Sequence, residues 1–276
     1  MPLALSPHQI EHYHSEGWLS PLDVLTEAEA AGARAKLEAF EADHGPFSTR
    51  PERSRAYLPF TWVDKIMRHP SLLDMVEDLI GPDILCWNAI FWIKEVGAGS
   101  YVGWHQDVTY WGLDNRELVT VWVAMSEASE QAGCMRVLPG SHRLTLSHDE
   151  TYDPDNLLTR GQHINDIDLA DTVPMPLRPG QASFHNVATA HGSGPNHSDD
   201  RRIGLSLHYM PTRTRQTLTS WDSAAMVRGD DRHHHFDHAP RPARDLDPDV
   251  MAYHTRSAAA LRRIVYDGAD TSRTTL

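Results

Sequence analysis

Tyr101-Val102-Gly103-Trp104-His105-Gln106-Asp107-Val108-Thr109-Tyr110-Trp111 is the stretch on which the rest of the chain turns. It opens as a β-type run, carries a histidine and an aspartate two positions apart, and is rich in aromatics. Side chains two apart on a strand leave the backbone on the same side. An imidazole nitrogen and a carboxylate oxygen placed in this way can meet one cation. A second histidine from a distant strand would complete a two-nitrogen, one-oxygen face and leave the opposite positions of the ion open, as a ferrous oxygenase needs.

The pair alone says little. The chain has 18 histidines, and His-x-Asp recurs at His197-Ser198-Asp199 and His235-Phe236-Asp237. Position separates the three, because the later two sit in polar, turn-rich stretches that read as solvated loops. The same holds for His233-His234-His235, set among Gly229, Asp230, Asp231 and Arg232.

Outward from the pair, short β-type runs extend over Ile84–Val96, Val102–Asp107, Leu118–Ser126, Met135–Leu138, Thr172–Leu177, Gln181–His185 and Arg202–Met210, with Gly, Pro, Asn and Asp between them. Helical patterns flank them. Ser6 and Pro7 read as the N-cap and first position of a helix ending near Gly17, Thr26 to about Asp43 as a second, and the tail from Pro240 to Arg263 as ending in a third. Many short strands between helices predict a mainly β fold, a double-stranded β-helix (jelly roll, cupin-like) buttressed by helices on one side. One domain over 1–276 is expected, with a helical part to about 82, a jelly-roll core over about 83–215 and a C-terminal loop and helix over 216–276. Thr145–Ala170 is polar and long for a connection, so it is either a lid or an irregular excursion.

Arg202–Tyr209 adds a chemical clue. Alternation puts Arg202, Gly204, Ser206 and His208 on one face and Ile203, Leu205, Leu207 and Tyr209 on the other. The apolar face should meet the core. The opposite face offers a guanidinium beside small residues, an arrangement able to grip a dicarboxylate through paired charged hydrogen bonds; the bland reading is a surface salt bridge.

Composition narrows the partners. At 276 residues with a formal charge of −13 and no basic stripe, a nucleic-acid partner is not expected. Cys86 and Cys134 lie in apolar stretches without zinc-site spacing and read as core thiols. Neither a leader nor a membrane span is evident, so a cytoplasmic location is expected, where a reducing medium suits ferrous iron.

Several motifs in order resemble the phytanoyl-CoA dioxygenase family, which includes ectoine hydroxylase. They are Trp104-His105-Gln106-Asp107 with Trp111 four residues beyond the aspartate, Pro139-Gly140-Ser141-His142, and His191-Gly192-Ser193 with Arg202 eleven residues after the histidine. The resemblance covers roughly Ile84 to Pro211. It implies a jelly roll in which His105, Asp107 and His191 bind Fe(II), and 2-oxoglutarate chelates the iron with its distal carboxylate on Arg202. Thr120 and Ser193 match places that add hydroxyl contacts to that carboxylate, and Trp111 and Asn88 match positions lining the co-substrate or substrate space. With O2, such enzymes release succinate and CO2 and hydroxylate a small molecule. Some relatives are halogenases that replace the carboxylate ligand by a small residue; Asp107 favours hydroxylation here.

His142 is a more distant ligand candidate, and His185, without the Gly-Ser context of His191, reads as structural. Trp87, Trp92, Tyr110 and Trp111 form either an aromatic substrate wall or plain core. His208 and the Thr145–Ala170 excursion are the candidates for selectivity. Two other function classes compete: a non-redox cupin-type metalloenzyme, which would not turn over 2-oxoglutarate, and a non-catalytic small-molecule-binding barrel, for which iron would be dispensable. Oligomeric state leaves no mark in the sequence.

Overall fold

A computed structural model describes residues 2–270 and residue 272. Its first helix, α1 (Pro7–Glu16), starts at a Ser6 capping box with Gln9 and stops at Gly17, whose φ of 84° suits a residue without Cβ. Trp18–Asp23 then forms β1, and α2 (Glu27–His44) opens on a second capping box, Thr26 with Glu29. The helices α3 (Thr61–Met67) and α4 (Pro70–Ile80) follow; α4 buries Leu72, Leu73, Val76, Leu79 and Ile80, which recur at helical spacing.

The sheet region comprises β2 (Ile84–Lys94), β3 (Val102–His105), a one-turn helix α5 (Val108–Trp111), β4 (Val119–Ala124), β5 (Met135–Val137), β6 (Asp149–Glu150) and β7 (Gln162–His163). It continues through β8 (Val173–Met175), β9 (Gln181–Asn186), β10 (His191–Ser193), β11 (Arg202–Pro211), β12 (Ser223–Arg228) and β13 (Asp237–His238), before α6 (Pro248–Val265). Seven strands make the larger sheet in the order β1-β9-β4-β11-β2-β12-β13, and β3-β10-β5-β8 make the smaller one. Together they form the expected jelly roll. The helices cover one face of the larger sheet: Leu37, Phe47, Val63 and Val76 join Phe91, Val121, Phe184, Ile203, Leu205, Leu207 and Tyr209 in the main core. The other face of that sheet looks towards the smaller one, and the cavity lies between them.

Three expectations need correcting. The region to residue 82 is not purely helical, because β1 pairs antiparallel with β9 at the sheet edge. The region after 215 is not only loop and helix, because β12 pairs with β2. The strand carrying His105 ends there, and Asp107 has helical backbone angles (φ −56°, ψ −41°) at the start of α5. The Thr145–Ala170 excursion contains the two-stranded ribbon β6-β7. Cys86 and Cys134 are free and buried. Among the described residues no helix is long and apolar enough to cross a membrane.

Candidate active site

His105 and His191 face each other across the β3-β10 pairing, with ring centroids 4.2 Å apart. Each turns Nδ1 to a carbonyl two residues back: His105 to Gly103 at 2.9 Å and His191 to Thr189 at 3.0 Å. These bonds fix the rings and leave each Nε2 for a ligand. Asp107 reaches the same point from the turn after β3, its Oδ1 3.3 Å from His105 Nε2. Two donors at right angles and about 2.1 Å from one ion would be about 3 Å apart. The ligand atoms of His105, Asp107 and His191 all lie within 4.8 Å of one another and are buried.

The protonation states also suit a cation. Burial, with His105 and His185 nearby, holds the His191 imidazole well below its ordinary pKa and therefore neutral. Burial alone would raise the Asp107 carboxyl, but its contacts with the His105 and His185 side chains outweigh it and hold the group well below the carboxylate range. A neutral imidazole and an ionised carboxylate are what a metal requires. The donor set fits a ferrous ion, and the open side faces the cavity.

Arg202, at the start of β11, lies in that cavity and is 2% exposed. Its guanidinium stacks over the Trp122 indole at 5.1 Å and donates from Nη1 to the Gly133 carbonyl at 3.0 Å, while Nε has no partner. Among the described residues no carboxylate pairs with it, and burial lowers its pKa to about 10, so it stays charged. The space expected beside Gly204 is filled by Trp122: a Cβ there would lie 1.8 Å from the indole. The strand faces fall as alternation requires, Arg202, Ser206 and His208 towards the cavity and Ile203, Leu205, Leu207 and Tyr209 towards the core.

The remaining candidates occupy distinct places. Thr120 sits at the triad end and donates its hydroxyl to Asp107 Oδ2 at 3.2 Å. Ser193 lines the cavity and accepts from Lys94 Nζ at 2.6 Å. Trp111 stacks on His208 at 4.3 Å and lies 5.1 Å from Trp87. His208 is neutral, its pKa lowered by burial to about 4, and its Nδ1 has no partner. Asn88 commits its side-chain oxygen to the Arg55 backbone N–H at 2.9 Å. Tyr110 lies under the Arg160 guanidinium at 5.2 Å, and its hydroxyl is pushed by burial to about 12. Trp87, Trp92, Leu157, Leu158, Leu261 and Val265 complete an apolar wall, with Arg53 over Trp92 at 5.3 Å.

His142 is not at the site; its Nε2 meets the His14 carbonyl. His185 is buried with Nε2 3.9 Å from Asp107 Oδ2, too far for a hydrogen bond. The His197/Asp199 and His235/Asp237 pairs form no metal-holding group among the described residues.

Sequence reasoning missed Gln106 and Lys94. Gln106, between His105 and Asp107 in the chain, is fully buried, and its Nε2 donates to the carbonyls of Ser141 (3.3 Å), Leu144 (3.1 Å) and Ala188 (2.6 Å). Its Oε1 accepts from Leu146 N at 2.9 Å, so one carboxamide stitches the Pro-Gly-Ser-His turn and the loop before His191 to the His105 strand. The sequence signal was its place inside the Trp104-His105-Gln106-Asp107 motif, which gave it no role.

A jelly roll enclosing two imidazoles, one carboxylate and a guanidinium without a carboxylate partner among the described residues has the make-up of a mononuclear non-haem metal oxygenase. The phytanoyl-CoA dioxygenase (PhyH) family model matches residues 13–204, and the chain belongs to that family. Over 156 residues it is 30% identical to a probable alpha-ketoglutarate-dependent hypophosphite dioxygenase of Stutzerimonas stutzeri, covering 55% of this chain and 54% of that one. The match therefore spans about half the length of that relative. Methylphosphonate hydroxylase of Gimesia maris is 25% identical over 222 residues, covering 76% and 82%. Among solved structures, the apo form of the non-heme monooxygenase ThoJ is 33% identical with a TM-score of 0.81, covering 93% of this chain and 97% of that one. CytC3 with Fe(II) and alpha-ketoglutarate, at 21% identity and a TM-score of 0.67 (90% and 97% covered), shares the fold.

Proposed function

We propose that the protein is an Fe(II)- and 2-oxoglutarate-dependent dioxygenase that hydroxylates a small molecule with release of succinate and CO2. One observation carries it: a buried His105-Asp107-His191 donor set shares a cavity with Arg202, a charged side chain without a carboxylate partner among the described residues. A non-redox metal site has no need of that cation. When bound, iron(II), 2-oxoglutarate and O2 supply the oxidising power.

The chain's own residues do the rest. His105, Asp107 and His191 hold the metal, and Arg202 with Ser193 grips the far carboxylate of the diacid and so sets its direction along the cavity. Thr120, bonded to Asp107, orients the aspartate's carboxylate rather than the far carboxylate of the diacid. Trp111, Tyr110, Asn88 and His208 line the space for substrate and keep water from it. Because the wall is mainly aromatic and aliphatic, the substrate has an apolar body, with His208 free to make one hydrogen bond to it. The relatives named for hypophosphite and methylphosphonate support a small molecule rather than a macromolecule. The chain works as one domain, since strands from both ends of the sequence complete the larger sheet, and its place is the cytoplasm.

Anaerobic addition of Fe(II) and then 2-oxoglutarate should develop a weak visible charge-transfer band. A folded, iron-loaded sample that stays colourless would sink the assignment. Succinate release across a panel of metabolites then identifies the substrate.

A further inference from the structure

We propose that Lys94 is a positioning residue for the diacid: from behind the cavity wall its side chain holds the Ser193 hydroxyl, which with Arg202 meets the distal carboxylate of 2-oxoglutarate. The inference rests on the co-substrate proposed above.

Lys94 ends β2 and pairs directly with Arg202 across the β2-β11 ladder, which puts the two side chains on the same side of the sheet. Like charges opposite one another destabilise a sheet, and both of these side chains are buried, Lys94 completely. Among the described residues neither has a carboxylate partner; besides each other, the charged or titratable neighbour is the Cys134 thiol. Such a pair is costly unless an anion joins it.

The surroundings are built to hold the amine. Nζ donates to Ser193 Oγ at 2.6 Å, to the Ser193 carbonyl at 3.2 Å, to the Gly133 carbonyl at 3.5 Å and to the Gly194 carbonyl. Carbonyl oxygens only accept, so this cage suits the three donors of an ammonium group. The Gly133 carbonyl also accepts from Arg202 and thus bridges the amine and the guanidinium. Gly133 has φ 68°, and a Cβ there would lie 2.4 Å from the Gly194 oxygen, so only glycine brings the carbonyl in.

Ser193 lines the cavity, and Lys94 does not. With the lysine donating to Oγ, the serine's own O–H is left to point at a cavity ligand, and the adjacent charge makes it a stronger donor. Burial, followed by the Arg202 charge, pulls the free amine down to about 6. A carboxylate arriving at Arg202 would oppose that second influence and favour the ammonium form.

The test titrates 2-oxoglutarate into the anaerobic Fe(II) protein, reading the visible band, for wild type, Lys94→Met, Ser193→Ala and the double variant; Fe(II) affinity is measured separately. Lys94→Met should raise the half-saturating concentration about tenfold, leaving the saturated band and Fe(II) affinity unchanged. Ser193→Ala should do the same, and the double variant should be no worse than either single, because the lysine acts through the serine. Wild-type titration by Lys94→Met, or effects that multiply in the double variant, would overturn the inference. Should Lys94→Met fail to fold, an unchanged midpoint for Ser193→Ala overturns it alone. A wild type that gives no band removes the co-substrate itself, a failure distinct from a wild type that binds and a Lys94→Met that binds equally well.

Discussion

The two ends of the cavity are stabilised in opposite ways. At the triad, each imidazole has its Nδ1 on a local carbonyl, Asp107 receives a hydroxyl from Thr120, and Gln106 ties the loops together, so the donors are arranged before any ion arrives. At the Arg202 end, a charged guanidinium and an amine whose pKa burial lowers to about 6 lie beside backbone carbonyls without a counter-charge among the described residues. The first end is organised by the protein, whereas the second is completed only by an anion.

The sharpest way to break this contrast is Arg202→Met. Affinity for 2-oxoglutarate should fall by about 30-fold or more, the loss expected when one member of a buried charged pair, about 2–5 kcal/mol, is removed. The metal-free, diacid-free protein should not lose stability and should gain up to a few kcal/mol, about 1–4, because an unpaired buried charge has gone. Calorimetry of binding and thermal unfolding of the same sample report both; a marked fall in unliganded stability would mean that the guanidinium is a structural strut.

Next in size is a pH effect midway along the cavity. The His208 pKa is lowered from 6.5 to about 4 by burial. Above pH 6.5 neither folded nor unfolded chain holds a proton there. As pH falls below 6.5 the unfolded chain takes one up and the folded chain resists until about 4, so stability is lost across that window by about 3 kcal/mol. Denaturant unfolding between pH 7.5 and 4 measures the slope, and His208→Gln should flatten it; an equal slope in both proteins would place the effect elsewhere.

The smallest expected change sharpens the triad side. Gln106→Ala strands carbonyls and the Leu146 N–H, at about 1–3 kcal/mol of stability, and should weaken iron binding roughly 10- to 100-fold although no ligand is touched. Iron retention on dialysis tests it, and unchanged retention would show that the three loops hold the ligands without the stitch.

How much the sequence disclosed follows the range of the forces involved. The faces of Arg202–Tyr209 were readable because strand alternation is local, and the caps at Ser6 and Thr26 because a capping box spans four residues. β1 escaped notice because Trp18-Leu19-Ser20-Pro21-Leu22-Asp23 includes a proline that suits only a sheet edge, which is where the strand lies. Asp107 shares a side with His105 by a turn into α5 rather than by strand pleat, so a correct grouping came with the wrong local geometry. Lys94 falls inside the β-type run Ile84–Val96 with nothing local to set it apart; the loops carrying Gly133 and Gly194, distant in sequence, bury it.

The last residue matched by the family model is 204, yet Leu261 and Val265 on α6 form part of the chamber wall. The portion of the chamber nearest the C-terminus is thus built from sequence beyond the stretch that the family model matches. Exchanging that one helix would resize the chamber while leaving His105, Asp107, His191 and Arg202 untouched, which makes a tail graft between relatives a direct route to altered selectivity.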